Sequence, residues 1–483
     1  MSDIRVRFAP SPTGFVHIGS LRTALYNFLF ARKHNGKFIL RIEDTDQNRL
    51  VEGAIENLFR TFDWVGIHFD ESTRNEGDLG PYQQSKRLDI YKKYVDQLVN
   101  DGKAYPCFAT PDELEEMRQQ QVARGEDPKY DGRYRDYPAD KAADRIKSGE
   151  TYVVRLKVPL EGETIVNDVV RGTVTFQNSN LDDQVILKSD GFPTYHLANV
   201  VDDYLMKVSH VIRGEEWLPS TPKHVILYNY FGWPLPQFAH LPLLLNSDRS
   251  KLSKRQGDVA VEDYINKGYT AEALINFVSL LGWSPGDSTN QEIFTMDELI
   301  DSFSLENVNK SGAVFDTSKL EWMNGTYIRN MDPDKLLNFL TPYLEKEGID
   351  ITDKEMCQKI AMAIRPRINT GNDVAAAVKI FISEELEIAE QEALEILKEE
   401  SAKVVLETFL DKISTIGTLD QSVFKEIMKE IQKEKNIKGP FLWKPVRVAI
   451  TATESGPDLP IVIDIFGKDK VSSFIKQALN KYI

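Results

Sequence analysis

The stretch Ile4-Arg5-Val6-Arg7-Phe8-Ala9-Pro10-Ser11-Pro12-Thr13-Gly14-Phe15-Val16-His17-Ile18-Gly19-Ser20 decides the fold. Its first five residues alternate apolar and basic, the period-two pattern of a strand. A turn-rich segment follows. From Ser20 to about position 34, Leu21, Leu25, Phe28 and Leu29 recur at helical spacing, and Gly36 is the expected stop. Phe38-Ile39-Leu40-Arg41-Ile42 reads as a second strand running into Glu43-Asp44-Thr45-Asp46. Strand, loop, helix, strand is the opening of a parallel nucleotide-binding sheet. Gly14 and Gly19 let the backbone approach a ligand. The start of the helix offers free N–H groups and a positive dipole end to an anion. His17, at that mouth, can donate a hydrogen bond to a phosphate whose charge grows during reaction.

Outward from this opening the pattern changes twice. Between about 100 and 190 a polar stretch at 118–135 precedes β-like runs at 151–158 and 169–177, which reads as an inserted α+β module. The α/β pattern resumes near 192–196 and continues through Val211-Ile212-Arg213. Beyond about 330 the chain is expected to be helical, with long amphipathic stretches at 373–397 and 402–413. The charged runs 383–400 and 425–438 are expected to be helix faces.

The bulk composition bounds the answer. A chain of 483 residues with 41% hydrophobic and 28% charged residues is a globular protein of about two to four domains. Lys and Arg number 59 against 74 Asp and Glu, a net charge of −15. Such a field repels phosphate on average, so a nucleic-acid partner must be met by local basic surface. Two distant cysteines, Cys107 and Cys357, exclude a disulfide framework and fit a reducing compartment. No secretory signal is visible and no apolar run approaches ~18 residues, so a cytoplasmic protein without a membrane span is expected.

A second chemical signal is Lys251-Leu252-Ser253-Lys254-Arg255-Gln256-Gly257. Mobile ammonium groups on a glycine-ended loop suit a reacting phosphorus centre, because they can follow its charge onto a leaving pyrophosphate.

Together, His17-Ile18-Gly19-Ser20 and Lys251-Leu252-Ser253-Lys254-Arg255 resemble the two signature motifs of class I aminoacyl-tRNA synthetases. Residues 7–14, 40–46, 195–203, 211–217 and 240–244 resemble the glutamyl branch, in that branch's order. Residues 438–441, 445–449 and 456–459 carry the resemblance through the tail. It implies a multidomain α/β protein. A Rossmann-like catalytic domain would span 1–95 and 195–249, with an α+β module binding the tRNA acceptor end inserted at 96–194. A stem-contact domain carrying the cationic loop would span 250–330, and an all-α anticodon-binding domain 331–483.

The activity implied is ATP-dependent ligation of L-glutamate to tRNA(Glu) through glutamyl-adenylate. The alternative is a non-discriminating enzyme that also charges tRNA(Gln). His17, Ser20, Lys251 and Lys254 would be the catalytic set. ATP would be held by His17, Gly19, Trp217, Lys251, Ser253 and Lys254. Glutamate would be held by Arg7, Ser11, Glu43, Tyr195, Asn199 and Arg213, with Arg213 on the γ-carboxylate because a guanidinium supplies paired donors. Magnesium would arrive with ATP. Zinc, which some members hold through cysteines in the inserted module, is not expected, because Cys107 stands alone and Tyr134 occupies a further cysteine position. In the tail, Arg365, Arg367, Lys435, Lys438, Lys444 and Arg447 are candidate phosphate contacts, and Phe441 and Trp443 can stack on unpaired bases. A monomer without an obligate protein partner is expected.

Other readings separate on the same features. A tRNA-modifying glutamyl transferase lacks the helical tail, and a glutaminyl enzyme would end in β-barrels. A nucleotidylyltransferase has no use for an anticodon domain. A non-catalytic tRNA binder has no need of His17, Lys251 and Lys254 together.

Overall fold

The computed structural model describes residues 3–252, 259–286 and 290–483. The chain divides into two compact units. The seam falls after Thr317, and the short segment Lys267–Thr270 belongs to the second unit.

The first unit is α/β. Strand β1 (Arg5–Phe8) pairs in parallel with β2 (Lys37–Leu40), and the helix Ile18–Lys33 connects them. That helix is buried nearly all round, through Leu21, Leu25, Tyr26, Leu29 and their neighbours, so it is a central core element. It ends three residues before Gly36. Asn35 takes the left-handed conformation at φ 51°, and Gly36 serves a different purpose. A Cβ at position 36 would lie 2.5 Å from the Ile4 carbonyl oxygen, so the glycine permits the chain to pass close to β1.

Strands β3 (Ala104–Cys107), β4 (Val153–Leu156) and β7 (Val185–Leu187) form an antiparallel sheet in the order β3-β4-β7. Between β4 and β7 lies a hairpin, β5 (Glu163–Asp168) and β6 (Gly172–Gln177). The runs expected at 151–158 and 169–177 thus correspond to β4 and β6, while β5 was not anticipated. The hairpin joins a four-stranded sheet, β6-β5-β9-β8, with β8 (His210–Gly214) parallel to β9 (Gln237–Leu241). Residues 163–177 therefore share a sheet with Arg213. A last parallel pair, β10 (Leu244–Leu245) and β11 (Ala313–Val314), follows.

The second unit is helical throughout its regular elements among the described residues, around a core that includes Leu340, Ile364, Phe409, Phe424, Val446 and Phe474. The long amphipathic stretch 373–397 holds two helices, Val374–Ile382 and Gln391–Lys398. The break has a tertiary cause. The amides of Leu386 and Ile388 donate to Gln477 Oε1 and Tyr482 Oη at 2.9 and 3.3 Å, and both side chains are buried. Capture by the terminal helix outweighs local helical preference. The charged run 383–400 is accordingly a helix face only in its second half. No helix among the described residues is long and apolar enough to cross a membrane.

Candidate active site

A cavity of about 950 Å³ opens in the first unit, over the ends of β1 and β8 and the start of the helix Ile18–Lys33. Its walls include Arg7, Ser11, His17, Gly19, Ser20, Glu43, Tyr195, Asn199, Arg213, Trp217 and Lys251. Residues separated by more than 240 positions meet there. Ser253 and Lys254 lie outside the described residues.

His17 caps the helix. Its Nδ1 accepts from the Gly19 amide at 2.9 Å, which satisfies one of the orphan N–H groups of the first turn. An accepting Nδ1 puts the proton of the neutral ring on Nε2, so the outer nitrogen is a donor. A side chain at position 19 would bring a Cβ to 3.3 Å from His17 Nδ1 and crowd this cap.

Behind one wall, lined by Arg7, Glu43 and Asn199, lies a buried charge cluster. Arg41 Nη2 donates to Glu43 Oε1 at 2.9 Å and Nη1 to Asp203 Oδ1 at 2.7 Å. Arg7 Nε donates to Asp203 Oδ1 at 3.1 Å, and Arg87 Nε to Asp202 Oδ1 at 2.7 Å. Gln84 and Tyr91 complete Asp202 at 2.9 and 2.8 Å. Three guanidiniums thus face three carboxylates. Asn199 sits among them, accepting from Arg41 Nη2 and donating to Asp203 Oδ2, each at 3.2 Å when its amide is turned to suit its neighbours. Burial pushes the Glu43 carboxyl above its ordinary range, opposed by Arg41. Burial also acts on Asp203, but Arg7 and Arg41 outweigh it and hold that carboxyl low. All the hydrogen bonds of Glu43 fall on Oε1, and Oε2 takes none among the described residues.

The other wall carries Arg213, which is 5% exposed and has no carboxylate within ion-pair distance among the described residues. Its partners are neutral. Nε donates to His240 Nε2 at 3.1 Å, and Nη1 to Tyr195 Oη at 3.0 Å and His224 Nδ1 at 3.3 Å. Nη2 donates to Thr221 Oγ1 at 3.0 Å. Burial lowers the His224 and His240 pKa values, which keeps both rings neutral acceptors. Burial raises that of Tyr195, which keeps its proton. Trp217 lies against Tyr195 with ring centroids 4.2 Å apart and remains 37% exposed, so it is a wall of the cavity and not core packing.

The structure thus gathers Arg7, Ser11, Glu43, Tyr195, Asn199 and Arg213 with His17, Gly19, Ser20, Trp217 and Lys251 around one cavity. It places Arg7 on Asp203 and not beside a second free cation. The sequence reading gave no role to Arg41, Asp202, Asp203, Thr221, His224 or His240. The signal available was charge or imidazole inside otherwise apolar strands and helices, as at Arg41 and His240.

The residues near Cys107 do not fit zinc. Its Sγ lies 3.3 Å from Tyr130 Oη and 3.4 Å from Arg155 Nε, and Tyr134 packs on Phe108 and Tyr137 at 5.7 and 5.5 Å. One thiol beside a box of aromatic rings is not a metal donor set. In the second unit, Phe441 and Trp443 are exposed by 54% and 37%. Lys435 pairs with Glu434, Lys444 with Glu454, and Arg447 donates to the Pro457 carbonyl, so these three candidate phosphate contacts hold internal partners.

Comparison with known proteins matches two family models to this chain. One, described as tRNA synthetases class I (E and Q), catalytic domain, matches residues 3–322. The other, an anticodon binding domain, matches residues 335–479. The chain is 51% identical to a glutamate–tRNA ligase of Alkaliphilus metalliredigens, covering 99% of each chain. It is 48% identical to one of Clostridioides difficile over the full length of both. A solved structure of a glutamate tRNA ligase from Elizabethkingia meningosepticum, in complex with its amino acid, superposes with a TM-score of 0.92 at 36% identity over the whole of both chains.

Proposed function

The chain belongs to the class I tRNA synthetases for glutamate and glutamine, and on that premise we propose that it is a glutamate–tRNA ligase, joining L-glutamate to tRNA(Glu). The observation that carries the choice of amino acid is Arg213. A buried cation surrounded by neutral acceptors leaves a charge unmatched, which costs several kcal/mol until an anion arrives. The γ-carboxylate of glutamate is such an anion, and the amide of glutamine is not.

In this reading glutamate lies with its γ-carboxylate on Arg213 and Tyr195, helped by Arg7. Its α-ammonium group faces the free oxygen of Glu43, with Ser11 and Asn199 nearby. The substrate nucleotide enters with its magnesium. Its adenine lies toward Trp217, and its phosphates toward the helix start at His17, Gly19 and Ser20. An α-carboxylate oxygen of glutamate attacks the α-phosphorus, and pyrophosphate leaves. The Nε2–H of His17 and the cations Lys251 and Lys254 stabilise the charge that develops on the phosphates. The terminal hydroxyl of the tRNA then attacks the acyl carbon of glutamyl-adenylate and AMP leaves. No side-chain nucleophile is required, so the protein contributes position and field. The subdivision at 1–95 with 195–249, 96–194 and 250–330 belongs to the same proposal, with 318–330 of its last part falling in the second compact unit. The helical second unit would meet the anticodon through exposed Phe441 and Trp443.

The test is charging with labelled glutamate and ATP on separate tRNAs for glutamate and glutamine. Glutamylation of the glutamate tRNA alone is expected. Charging of both would make the enzyme non-discriminating, and charging of neither by folded protein would end the proposal.

A further inference from the structure

Arg213 is held by side chains whose own protons are fixed in turn. An arginine only donates, so His240 Nε2, His224 Nδ1, Thr221 Oγ1 and Tyr195 Oη must all accept from it. Neutral His240 then carries its proton on Nδ1, and that proton points at Asp168 Oδ2 at 2.6 Å. Neutral His224 carries its proton on Nε2, which donates to His196 Nδ1 at 3.1 Å. Asp168 stands at the end of β5, buried. Its Oδ1 accepts from the Val170 and Arg171 amides at 3.0 and 2.8 Å, and its Oδ2 also meets the His240 amide at 3.1 Å. Every group around Asp168 is a donor.

The donors of Arg213 can be counted from these partners. Four of the five N–H bonds of a guanidinium are engaged, which leaves one on Nη2. Tyr195 Oη accepts from Arg213, and its own proton remains to be given. The cavity therefore meets a ligand at this point with donors only.

We infer that Asp168 and His240 are positioning residues that set the preference for glutamate over glutamine, by fixing the His240 tautomer that holds the Arg213 fork. With the proton on the other nitrogen, His240 Nε2–H would face Arg213 Nε–H, and the fork would turn from its place. A side-chain amide gains nothing from a donor-only site, because its NH₂ group finds no acceptor there. This inference rests on the glutamate reading above.

The test is steady-state charging by the full-length enzyme with its tRNA, varying glutamate, glutamine and ATP in turn. Asp168→Asn puts an NH₂ among donors whichever way the amide is turned, and His240→Leu removes the acceptor facing Arg213. For both, kcat/KM for glutamate falls about 10²-fold while KM for ATP holds within about twofold, so the glutamate-to-glutamine ratio collapses. His240→Gln, which restores an acceptor, recovers about tenfold of the loss. Equal losses for glutamate, glutamine and ATP, without rescue in His240→Gln, would mean a merely structural role and overturn the inference. Should the first two variants fail to fold, Thr221→Val decides, because it removes one acceptor without touching β5. A selective rise of a few-fold in glutamate KM supports the inference, and an unchanged KM overturns it. Wild-type enzyme that charges no glutamate would instead sink the functional reading, and that outcome is visible before any variant is made.

Discussion

Arg41 and Arg213 are both buried in the first unit, and their surroundings differ in kind. Arg41 is fully enclosed and meets Glu43, Asp202 and Asp203, so its charge is answered within the fold. Arg213 meets two imidazoles and two hydroxyls and is answered by none. A buried charge matched by the fold holds the scaffold together, and one left unmatched marks the place where a ligand of opposite sign belongs. Arg7 and Glu43 of the first cluster line the same cavity as Arg213, so the contrast sets support beside recognition.

The contrast breaks most plainly at Arg41. Arg41→Met leaves three carboxylates to be shared by Arg7 and Arg87, and is expected to cost about 3–5 kcal/mol of stability. Thermal denaturation reads it. Arg213→Met is expected to do the reverse. Removing an unmatched buried cation should leave the melting temperature unchanged or higher, while kcat/KM for glutamate falls about 10²–10³-fold, or about 3–4 kcal/mol. If Arg41→Met melts like wild type and Arg213→Met unfolds the protein, the assignment of support and recognition is backwards.

The same division runs through a single side chain at His17. Its Nδ1 supports the helix, and in the proposed reaction its Nε2–H acts on the phosphates. His17→Asn offers a favoured capping oxygen in place of Nδ1, and its amide NH₂ stops short of the place of Nε2. Stability should change by less than about 0.5 kcal/mol while kcat falls about 10²-fold. A parallel loss of both would mean that the cap, and not the outer nitrogen, is what activity requires.

Much of this site was legible because class I motifs are local. His17, Gly19 and Ser20 fall within four positions, and the strand before them and the helix after them follow from periodicity alone. Arg213 and Tyr195 were singled out through resemblance, and the structure places both on the cavity. The supporting layer was not. Asp168 and His240 are 72 positions apart and belong to different strands, so no window of sequence contains their pairing. Nor was the pairing of the hairpin β5–β6 with β9 legible, since it is a tertiary fact. Gly36 looked like a helix stop, and its function is passage close to Ile4. The break at 383–390 had no local signal either, since its cause lies at Gln477 and Tyr482.

Acid should separate the two walls with the smallest effect. Burial lowers the His196 pKa from 6.5 to about 4, with Lys223 and Arg213 adding to it, and lowers those of His224 and His240. A histidine with a depressed folded value binds its proton more readily when unfolded. Its contribution is full above pH 6.5 and is lost as pH falls toward 4. Asp203 is held below its ordinary 3.8, so its contribution is full above that value and is lost only at lower pH. Between pH 7 and 4.5 the histidines around Arg213 should therefore cost stability while Asp203 keeps its charge. Glu43, whose folded value burial raises, takes up its proton more readily when folded and does not add to the decline. Melting temperature should decline below about pH 6.5, while glutamate KM should rise only at lower pH, toward the depressed folded values, where protonated His240 or His224 would present N–H to Arg213. In Arg213→Met the charge that helps depress His224 is gone, so the decline in melting temperature should be shallower. Equal slopes in the two proteins would show that the histidines do not answer to Arg213.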